Sequence, residues 1–348
     1  MESLLPLTLL VGAFVLSLVV LLASAEKFVG ASEEIGLGLG VPAFVMGITV
    51  LAIGTSFPEL VTALVAVYQG QSEIVAGTVL GSNIANILLI LGVTAIIAGN
   101  FSIFWDLFHG DLPLLFGSIL LLAFIVYPVS TADMALFSSA AANDGGDGGR
   151  RAVISFGEGV VLILGYALYV YYYASRRPDS AAAKEEVPER PAIRPMHFVW
   201  LVVGLVGVSL GAHFTVIYAI KLATVLSLPE EVVAAGIVAV GTSLPEFVVS
   251  MSAARRGNYE MAVGNVTGSN IFNTFMVLGL PAIAAPFLGD HGALKVGTDS
   301  ILYLQLPYYA ATLMLMLITV FDKNLTRTEG LAFLLAYLFF VGKLFGMV

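Results

Sequence analysis

An eight-residue stretch that carries a glutamate, two hydroxyl side chains and a proline occurs twice in this sequence. Residues 52–59 read Ala-Ile-Gly-Thr-Ser-Phe-Pro-Glu and residues 239–246 read Ala-Val-Gly-Thr-Ser-Leu-Pro-Glu, so that six of the eight positions are identical. A second motif recurs at the same distance of 187 positions, with Gly-Thr-Val-Leu-Gly-Ser-Asn-Ile-Ala-Asn at 77–86 and Gly-Asn-Val-Thr-Gly-Ser-Asn-Ile-Phe-Asn at 264–273. We call two residues at equivalent positions of the two copies repeat mates. Such internal similarity indicates a duplicated architecture.

The residue types in the first motif are those of a cation site. In each copy the glutamate follows a threonine and a serine by one helical turn, so carboxylate and hydroxyl oxygens can converge. Pro58 and Pro245 each remove one helix hydrogen bond and free a carbonyl oxygen four residues earlier. Ligand sets made only of oxygen suit calcium, sodium or magnesium and disfavour zinc or copper. The pattern therefore predicts a site around Glu59 and Glu246.

The second motif predicts the remaining wall of that site. Ser82 and Asn86 lie four residues apart on one helix face, and Ser269 and Asn273 repeat the arrangement. The intervening asparagines fall off this face, so we expect Asn83 and Asn270 to serve in helix capping or in hydrogen bonds to the backbone. The glycines at 77, 81, 264 and 268 form patterns of small residues that let helices approach closely.

Composition places these motifs in a membrane. The chain is 59% hydrophobic and 11% charged, against about 25% charged residues in soluble proteins. It has no cysteine, which excludes disulfides and thiolate chemistry. Apolar segments predict an all-α integral membrane protein with ten spans, at 4–25, 43–68, 73–98, 112–129, 154–173, 197–219, 231–254, 260–286, 305–320 and 329–346.

The spans divide into two sets of five. The first half comprises residues 1–173, residues 174–196 form a hydrophilic linker rich in proline and charge, and the second half comprises 197–348. Later landmarks also pair, with Glu158-Gly159 matching Glu329-Gly330. Because five is odd, the second half enters the membrane in the opposite sense, as in the inverted repeats of many transporters.

The distribution of lysine and arginine predicts the orientation. With the N-terminus outside, the inner loops, counting Lys27 and the linker, hold about twice as many basic residues as the outer loops and the C-terminal end. Both termini are then extracellular, the linker is cytoplasmic, and the expected location is the plasma membrane. The tyrosines at 169–173 and 308–309 are interpreted as interfacial aromatic belts.

Two glutamates at membrane depth are costly, and such residues are functional candidates. The structural alternative is a pair of protonated, hydrogen-bonded acids that stabilise a helix kink. That alternative leaves both the hydroxyl cluster and its duplication unexplained, so the functional interpretation is preferred.

The paired motifs resemble the alpha repeats of the sodium/calcium exchanger family, within the cation/calcium antiporter superfamily, over nearly the whole chain except the linker. The resemblance implies ten helices in two inverted five-helix repeats, with broken helices at a central ion site. It implies transport of calcium and sodium without a cofactor. The large regulatory domains of animal exchangers are expected to be absent, because the linker at 174–196 is too short to fold into them. The ion ligands implied by the resemblance are Glu59, Glu246, Thr55 and Thr242 for calcium, with Ala52, Ser56, Ser82, Ala239, Ser243 and Ser269 for sodium, and Asn86 and Asn273 lining the centre.

One position departs from the family pattern. Many members carry an aspartate where this chain has Asn273, including the potassium-dependent branch, which argues against potassium co-transport.

Sodium-driven calcium antiport by alternating access is thus the leading prediction, with a proton/calcium antiporter as the alternative. An intramembrane enzyme would need a histidine cluster or a nucleophile with its base, yet the four histidines are scattered. A passive channel is disfavoured because paired, enclosed carboxylates suit tight binding. The expected partners are the two ions and the lipid bilayer, with neither nucleic acid nor an obligatory protein partner.

Overall fold

A computed structural model describes residues 7–103, 105, 107, 110–126, 152–175, 191–226, 241–288, 293–296, 301–321 and 323–346. Within these residues we number the helices α1 (Leu7–Leu39), α2 (Ala43–Tyr68), α3 (Glu73–Ala98), α4 (Asp111–Val126), α5 (Phe156–Ser175), α6 (Pro195–Val225), α7 (Leu244–Arg255), α8 (Tyr259–Leu288), α9 (Ile301–Gln305 continued by Leu306–Val320) and α10 (Arg327–Leu344). Four short strands are β1 (Phe101–Ser102), β2 (Ala152–Ile154), β3 (Leu294–Val296) and β4 (Asn324–Leu325).

The ten helices correspond in order to the ten predicted spans. Among the described residues, α1, α2, α3, α5, α6 and α8 are long and apolar enough to cross a membrane by themselves. The span predicted at 231–254 is described only from residue 241 onward. Most of the predicted linker, at 176–190, also lies outside the described residues.

Two predicted boundaries were wrong because helices continue past the apolar segments. Helix α1 runs to Leu39 and α6 runs to Val225. Lys27, assigned to an inner loop, therefore lies within α1, where its Nζ stands 5.1 Å from the ring centroid of Trp200 on α6. Lysine is a good helix former, and its ammonium can reach an aromatic face while its apolar stem packs along the helices.

The helices that carry the motifs form the centre of the molecule. In the most apolar 18-residue stretch of each helix, 72% of the α3 residues and 61% of the α8 residues are buried, against 17% for α1 and 28% for α6. Small and hydroxyl side chains allow α3 and α8 to be enclosed by protein, whereas the leucines and valines of α1 and α6 face outward. The motif helices are therefore shielded by the outer ones.

Helices α1 and α6 pack closely along each other through glycines. A Cβ atom at Gly204 would lie 2.7 Å from the backbone nitrogen of Phe28, and one at Gly211 would lie 2.8 Å from Leu21. Helices in lipid associate by close packing at small residues, because lipid supplies little hydrophobic drive between them. The two outer helices thus form one packed pair.

The glycines of the second motif behave as predicted in one half. A Cβ at Gly264 would lie 2.5 Å from the carbonyl oxygen of Phe44, and one at Gly268 would lie 2.6 Å from Ile48, so α8 crosses α2 closely. The mates of residues 44–48 of α2 are residues 231–235, which lie outside the described residues. The packing prediction for Gly77 and Gly81 therefore stays a prediction.

Contacts far from the motifs repeat in the two halves. A Cβ at Gly159 would lie 2.9 Å from the carbonyl oxygen of Gly279, and one at Gly330 would lie 2.7 Å from that of Gly92. Gly279 and Gly92 are repeat mates, as are Gly159 and Gly330. The strand pairs β1–β4 and β2–β3, both antiparallel, each join one half to the other. The fold is therefore two interlocked copies of one five-helix unit.

Helix irregularities cluster at the motifs. Single π-helical turns begin at Asn86 in α3 and at its mate Asn273 in α8. In the second half the chain makes a turn at residues 242–243 before α7 begins at Leu244. In the first half α2 stays α-helical through Pro58, and its irregularity is a π turn at Gly47–Leu51. Such turns free backbone groups and are frequent at functional sites.

Candidate cation site

The two motif glutamates come from different halves and lie next to each other. Glu59 on α2 is 9% exposed and Glu246 on α7 is 1% exposed. Their two carboxyl groups are close enough to interact electrostatically. Ser56 Oγ donates a hydrogen bond of 2.8 Å to Glu246 Oε1. No described residue bonds either carboxylate oxygen of Glu59 or Oε2 of Glu246. Three buried acceptor oxygens are thus available to a cation.

The remaining motif hydroxyls surround these acids. Ser82 Oγ and Thr242 Oγ1, which come from different halves, are 3.4 Å apart. Ser243 and Ser269 are buried, and their hydroxyl oxygens have no hydrogen-bond partner among the described residues. Buried hydroxyls usually have hydrogen-bond partners, so the Ser243 and Ser269 hydroxyl oxygens are candidate ligands of a bound cation.

Thr55 and Ala52 lie together on α2. Both are fully buried, and Thr55 Oγ1 donates to the Ala52 carbonyl oxygen at 3.4 Å. Ala239, the mate of Ala52, lies outside the described residues.

The four asparagines that occur in both copies of the second motif are buried at the centre. Asn83 and Asn270 each donate to the backbone carbonyl of the other, at 3.4 Å and 3.2 Å, which confirms the predicted bonding to backbone. Asn86 Nδ2 donates to Asn270 Oδ1 at 3.0 Å. Asn273 is buried, and neither atom of its amide has a hydrogen-bond partner among the described residues.

One buried polar residue beside the site was missed. Asn265 on α8 is fully buried, donates to Ser250 Oγ at 2.8 Å and lies 3.4 Å from the backbone carbonyl of Glu246. Its mate is Thr78, so the residue type differs between the copies. That difference, one of three between the two ten-residue copies, was the available signal.

The tyrosine belts were partly misassigned. Tyr169 and Tyr173 donate to the two carboxylate oxygens of Asp111, which is fully buried at the start of α4. Tyr309 is also fully buried and accepts a hydrogen bond from Asn83 at 3.3 Å. The aromatic clusters suggested an interface, but only contacts between helices reveal which rings have buried partners. Tyr171, which is 68% exposed, fits the belt interpretation.

A cavity of about 340 Å³ reaches the site from one end of the core. Its inner part is lined by Glu59, Ser82, Thr242 and Asn273, and its wall by residues of α2, α3 and α6, among them Ala66, Ile74 and Ile220. Those outer residues lie near the turn that joins α2 to α3. The cavity thus leads from that end to the glutamates.

The donor set consists of oxygens, which suit hard cations. No group of three or more His, Cys, Asp or Glu side chains that could hold a metal occurs in the part of the chain that the structure describes. The site instead combines two carboxylates with neutral hydroxyl and amide oxygens, which are ligands of calcium and sodium.

Comparison with known families assigns the chain. The model of the family described as sodium/calcium exchanger protein matches residues 9–174 and 196–346. The chain belongs to the sodium/calcium exchanger family. The predicted family is therefore confirmed. The coarse activity follows as cation/calcium exchange across a membrane, which is transport and not catalysis.

Relatives cover almost the whole exchanger chain. Sodium/calcium exchanger MaX1 of Methanosarcina acetivorans is 32% identical over 351 residues, covering 95% of this chain and 97% of that protein. The putative antiporter CaxA of Alkalimonas amylolytica is 32% identical over 330 residues, covering 92% and 94%. The solved sodium–calcium exchanger NCX_Mj, soaked with 10 mM Na⁺ and zero Ca²⁺, has a TM-score of 0.74 at 29% identity, covering 97% of this chain and 99% of that one. The fold of two inverted five-helix repeats is therefore shared.

Proposed function

We propose that the protein is a secondary antiporter that exchanges sodium for calcium by alternating access. The observation that carries this proposal is the pair Glu59 and Glu246. They come from opposite halves, are buried side by side, and have three carboxylate oxygens that accept no hydrogen bond from the described residues. Two like charges in a dry interior are unstable unless a cation or protons neutralise them.

Each ion uses overlapping oxygens of one site. The carboxylates of Glu59 and Glu246 bind calcium, with the backbone carbonyls of Thr55 and Thr242. Sodium ions use the same acids with neutral oxygens from Ala52, Ser56, Ser82, Ala239, Ser243 and Ser269, while Asn86 and Asn273 line the centre. Because the ligands overlap, binding of one ion displaces the other. The two asparagines also argue against potassium as a third substrate.

Alternating access requires the site to open to one side at a time. The cavity supplies the route at one end, and its α6 wall carries none of the proposed ligands. Helices α1 and α6, packed as one pair, move relative to the core once the acids are neutralised. An empty site with two negative charges resists that movement, which couples the fluxes.

The proposed location is the plasma membrane with both termini outside. The excess of basic residues then faces the cytoplasm, together with the linker at 174–196 and the turn that carries Arg255 and Arg256. In this orientation the cavity faces the extracellular side.

The decisive experiment is calcium uptake by purified protein in proteoliposomes. Vesicles loaded with sodium should take up calcium when diluted into sodium-free buffer, and vesicles loaded with potassium should not. An imposed proton gradient in the absence of sodium separates the alternative. Uptake driven by protons and insensitive to sodium would replace this proposal with proton/calcium antiport.

A further inference from the structure

The two central asparagines Asn86 and Asn273 are repeat mates, yet their amides are held differently. Asn86 donates through Nδ2 to Asn270, whereas no described residue bonds either amide atom of Asn273. The mate of the Asn86–Asn270 bond would run from Asn273 to Asn83, but Asn83 Oδ1 has no hydrogen-bond partner among the described residues. The sequence is the same, and the bonding is not.

A backbone carbonyl fixes the direction of this chain of amides. The Asn83 carbonyl oxygen can only accept, so the Asn270 atom 3.2 Å from it is Nδ2. Asn270 Oδ1 then faces Asn86, so the facing atom of Asn86 is its Nδ2. Asn86 Oδ1 consequently points away, is buried, and has no described partner. The network turns one asparagine into a fixed oxygen acceptor.

We propose that Asn270 is a positioning residue that orients the Asn86 oxygen toward the transported ion, whereas Asn273 can turn either amide atom toward the site. This rests on the proposed function, and it makes the two halves unequal ligand donors. Asn270 acts through Asn86 and does not itself touch the ion.

Calcium binding by the purified protein tests this with a double-mutant cycle. Asn86→Ala and Asn270→Ala should each weaken calcium binding roughly threefold to tenfold, as expected for one lost buried hydrogen-bonding oxygen. In the Asn86→Ala background, Asn270→Ala should add nothing. Asn83→Ala is the matched control, and its effect should add to that of Asn86→Ala. Calorimetry measures binding without requiring transport, and thermal melting reports folding separately.

Additive effects of Asn86→Ala and Asn270→Ala, or equal losses for Asn83→Ala and Asn270→Ala, would overturn the positioning role. If Asn270→Ala does not fold, Asn270→Ser replaces it, because its shorter side chain cannot reach Asn86. Absence of calcium binding by the natural chain would overturn the proposed function itself, and the two failures are thus distinguishable.

A different observation concerns the end of the core opposite the cavity. The α6 residues that line the cavity include Ile217 and Ile220, whose mates on α1 are Gly30 and Glu33. The guanidinium of Arg256, which directly follows α7, packs against α1 at these two mate positions. Its Nε and one Nη each lie 2.9 Å from Glu33 Oε2, and it is the nearest group, at 3.4 Å, to a Cβ placed at Gly30.

Two further mates of cavity-lining residues are buried. The cavity wall residues Ala63 and Thr78 correspond to Ser250 and Asn265, which are fully buried and bonded to each other. In an inverted repeat, the end that is closed in one state can adopt the arrangement of the open end in the other state. The mates of Glu33 and Arg256 are Ile220 and Gln69, which cannot form an ion pair.

We infer that Glu33 and Arg256 form a one-sided gate, which holds the inner route closed and favours the state open at the cavity end. The inference rests on the proposed alternating access. Breaking the pair should shift the balance toward the inner-open state about twofold to fivefold, since exposed ion pairs are weak.

Glu34 supplies a matched control. It pairs with His197 at 3.0 Å, which joins α1 to α6 within one packed pair and not to the core. Glu33→Gln and Glu34→Gln therefore remove the same charge from neighbouring residues, but only Glu33→Gln should affect the gate.

The test uses the absence of cysteine in the natural sequence. Ser250→Cys reports on the inner route and its mate Ala63→Cys on the cavity, each labelled by a membrane-impermeant maleimide in proteoliposomes. With Glu33→Gln, labelling at 250 should accelerate twofold to fivefold and labelling at 63 should slow. If Ser250→Cys does not fold, Ala253→Cys replaces it.

Unchanged labelling with Glu33→Gln, or the same change with Glu34→Gln, would overturn the gate. Labelling does not depend on which ion is transported, so a failure of the gate is distinguishable from a failure of sodium/calcium exchange.

Discussion

Two features occur in both halves of the chain: the starts of helices α5 and α10, and the two motif glutamates. Only the helix starts have the same hydrogen bonds in both halves. Ser155 and Glu158 form reciprocal bonds of 2.7, 2.8 and 3.3 Å, and Thr326 and Glu329 form bonds of the same three lengths. By contrast, Glu246 accepts a bond from Ser56, whereas Glu59 has no described partner. Symmetry is kept at the helix ends and lost at the site.

This difference has a physical reason. A capping box is a local interaction over four residues, so the same sequence gives the same geometry wherever it occurs. The site is made of contacts between the halves, and under the proposed alternating access the two halves have different surroundings in any single state. Asymmetry at the site is therefore expected of one conformation and need not reside in the motifs themselves.

The strongest way to test the comparison is to neutralise each acid separately. Glu59→Gln and Glu246→Gln should each reduce coupled calcium flux to background, because one carboxylate cannot balance a divalent ion. Proteoliposome uptake measures this, and elution as a single monodisperse species controls for folding. Retained flux in both variants would refute the assignment of the site.

The peripheral glycine contacts should show equal effects in the two halves. Gly330→Leu places side-chain atoms against the Gly92 carbonyl, and Gly159→Leu does the same at Gly279. Each should destabilise by about 3 kcal/mol, at the upper end of typical overpacking. Thermal unfolding in detergent should give similar shifts for both, and a large difference would show that the halves are not equivalent there.

The motif serines should show unequal effects. Ser56→Ala removes a hydroxyl that donates to Glu246 Oε1 at 2.8 Å, whereas the Ser243 hydroxyl has no hydrogen-bond partner among the described residues. We expect Ser56→Ala to weaken calcium binding about tenfold, in line with a hydrogen bond to a charged group, and Ser243→Ala to act mainly on sodium dependence. Calcium titrations at several sodium concentrations measure both. Equal calcium effects would contradict the observed asymmetry.

The helix starts should give the smallest effects, equal in the two halves. Ser155→Ala and Thr326→Ala each remove one capping box and should each cost about 1 kcal/mol of stability. Thermal unfolding of the two variants checks this. A change in calcium binding in either variant would mean that these ends are coupled to the site.

Much of the architecture was predictable because it depends on local chemistry. Apolar length predicted ten spans, and the spacing of Glu59 and Glu246 within repeated motifs predicted that two acids share one site. The extent of α1 past Lys27 was not predicted, because apolar length marks a span and not the end of a helix. The burial of Tyr309 and Tyr169 depends on partners far away in sequence.

The sequence by itself determined the family, the duplication and the oxygen-rich chemistry of the motifs, since these follow from residue types and short spacings. Only the tertiary structure decided which repeat mates make the same contacts and which do not. It gave Asn86 a fixed orientation through Asn270, and it placed Arg256 on Glu33 and not on Glu34. Identical motifs carry no information about which partner faces them, because those partners come from the opposite half of the chain.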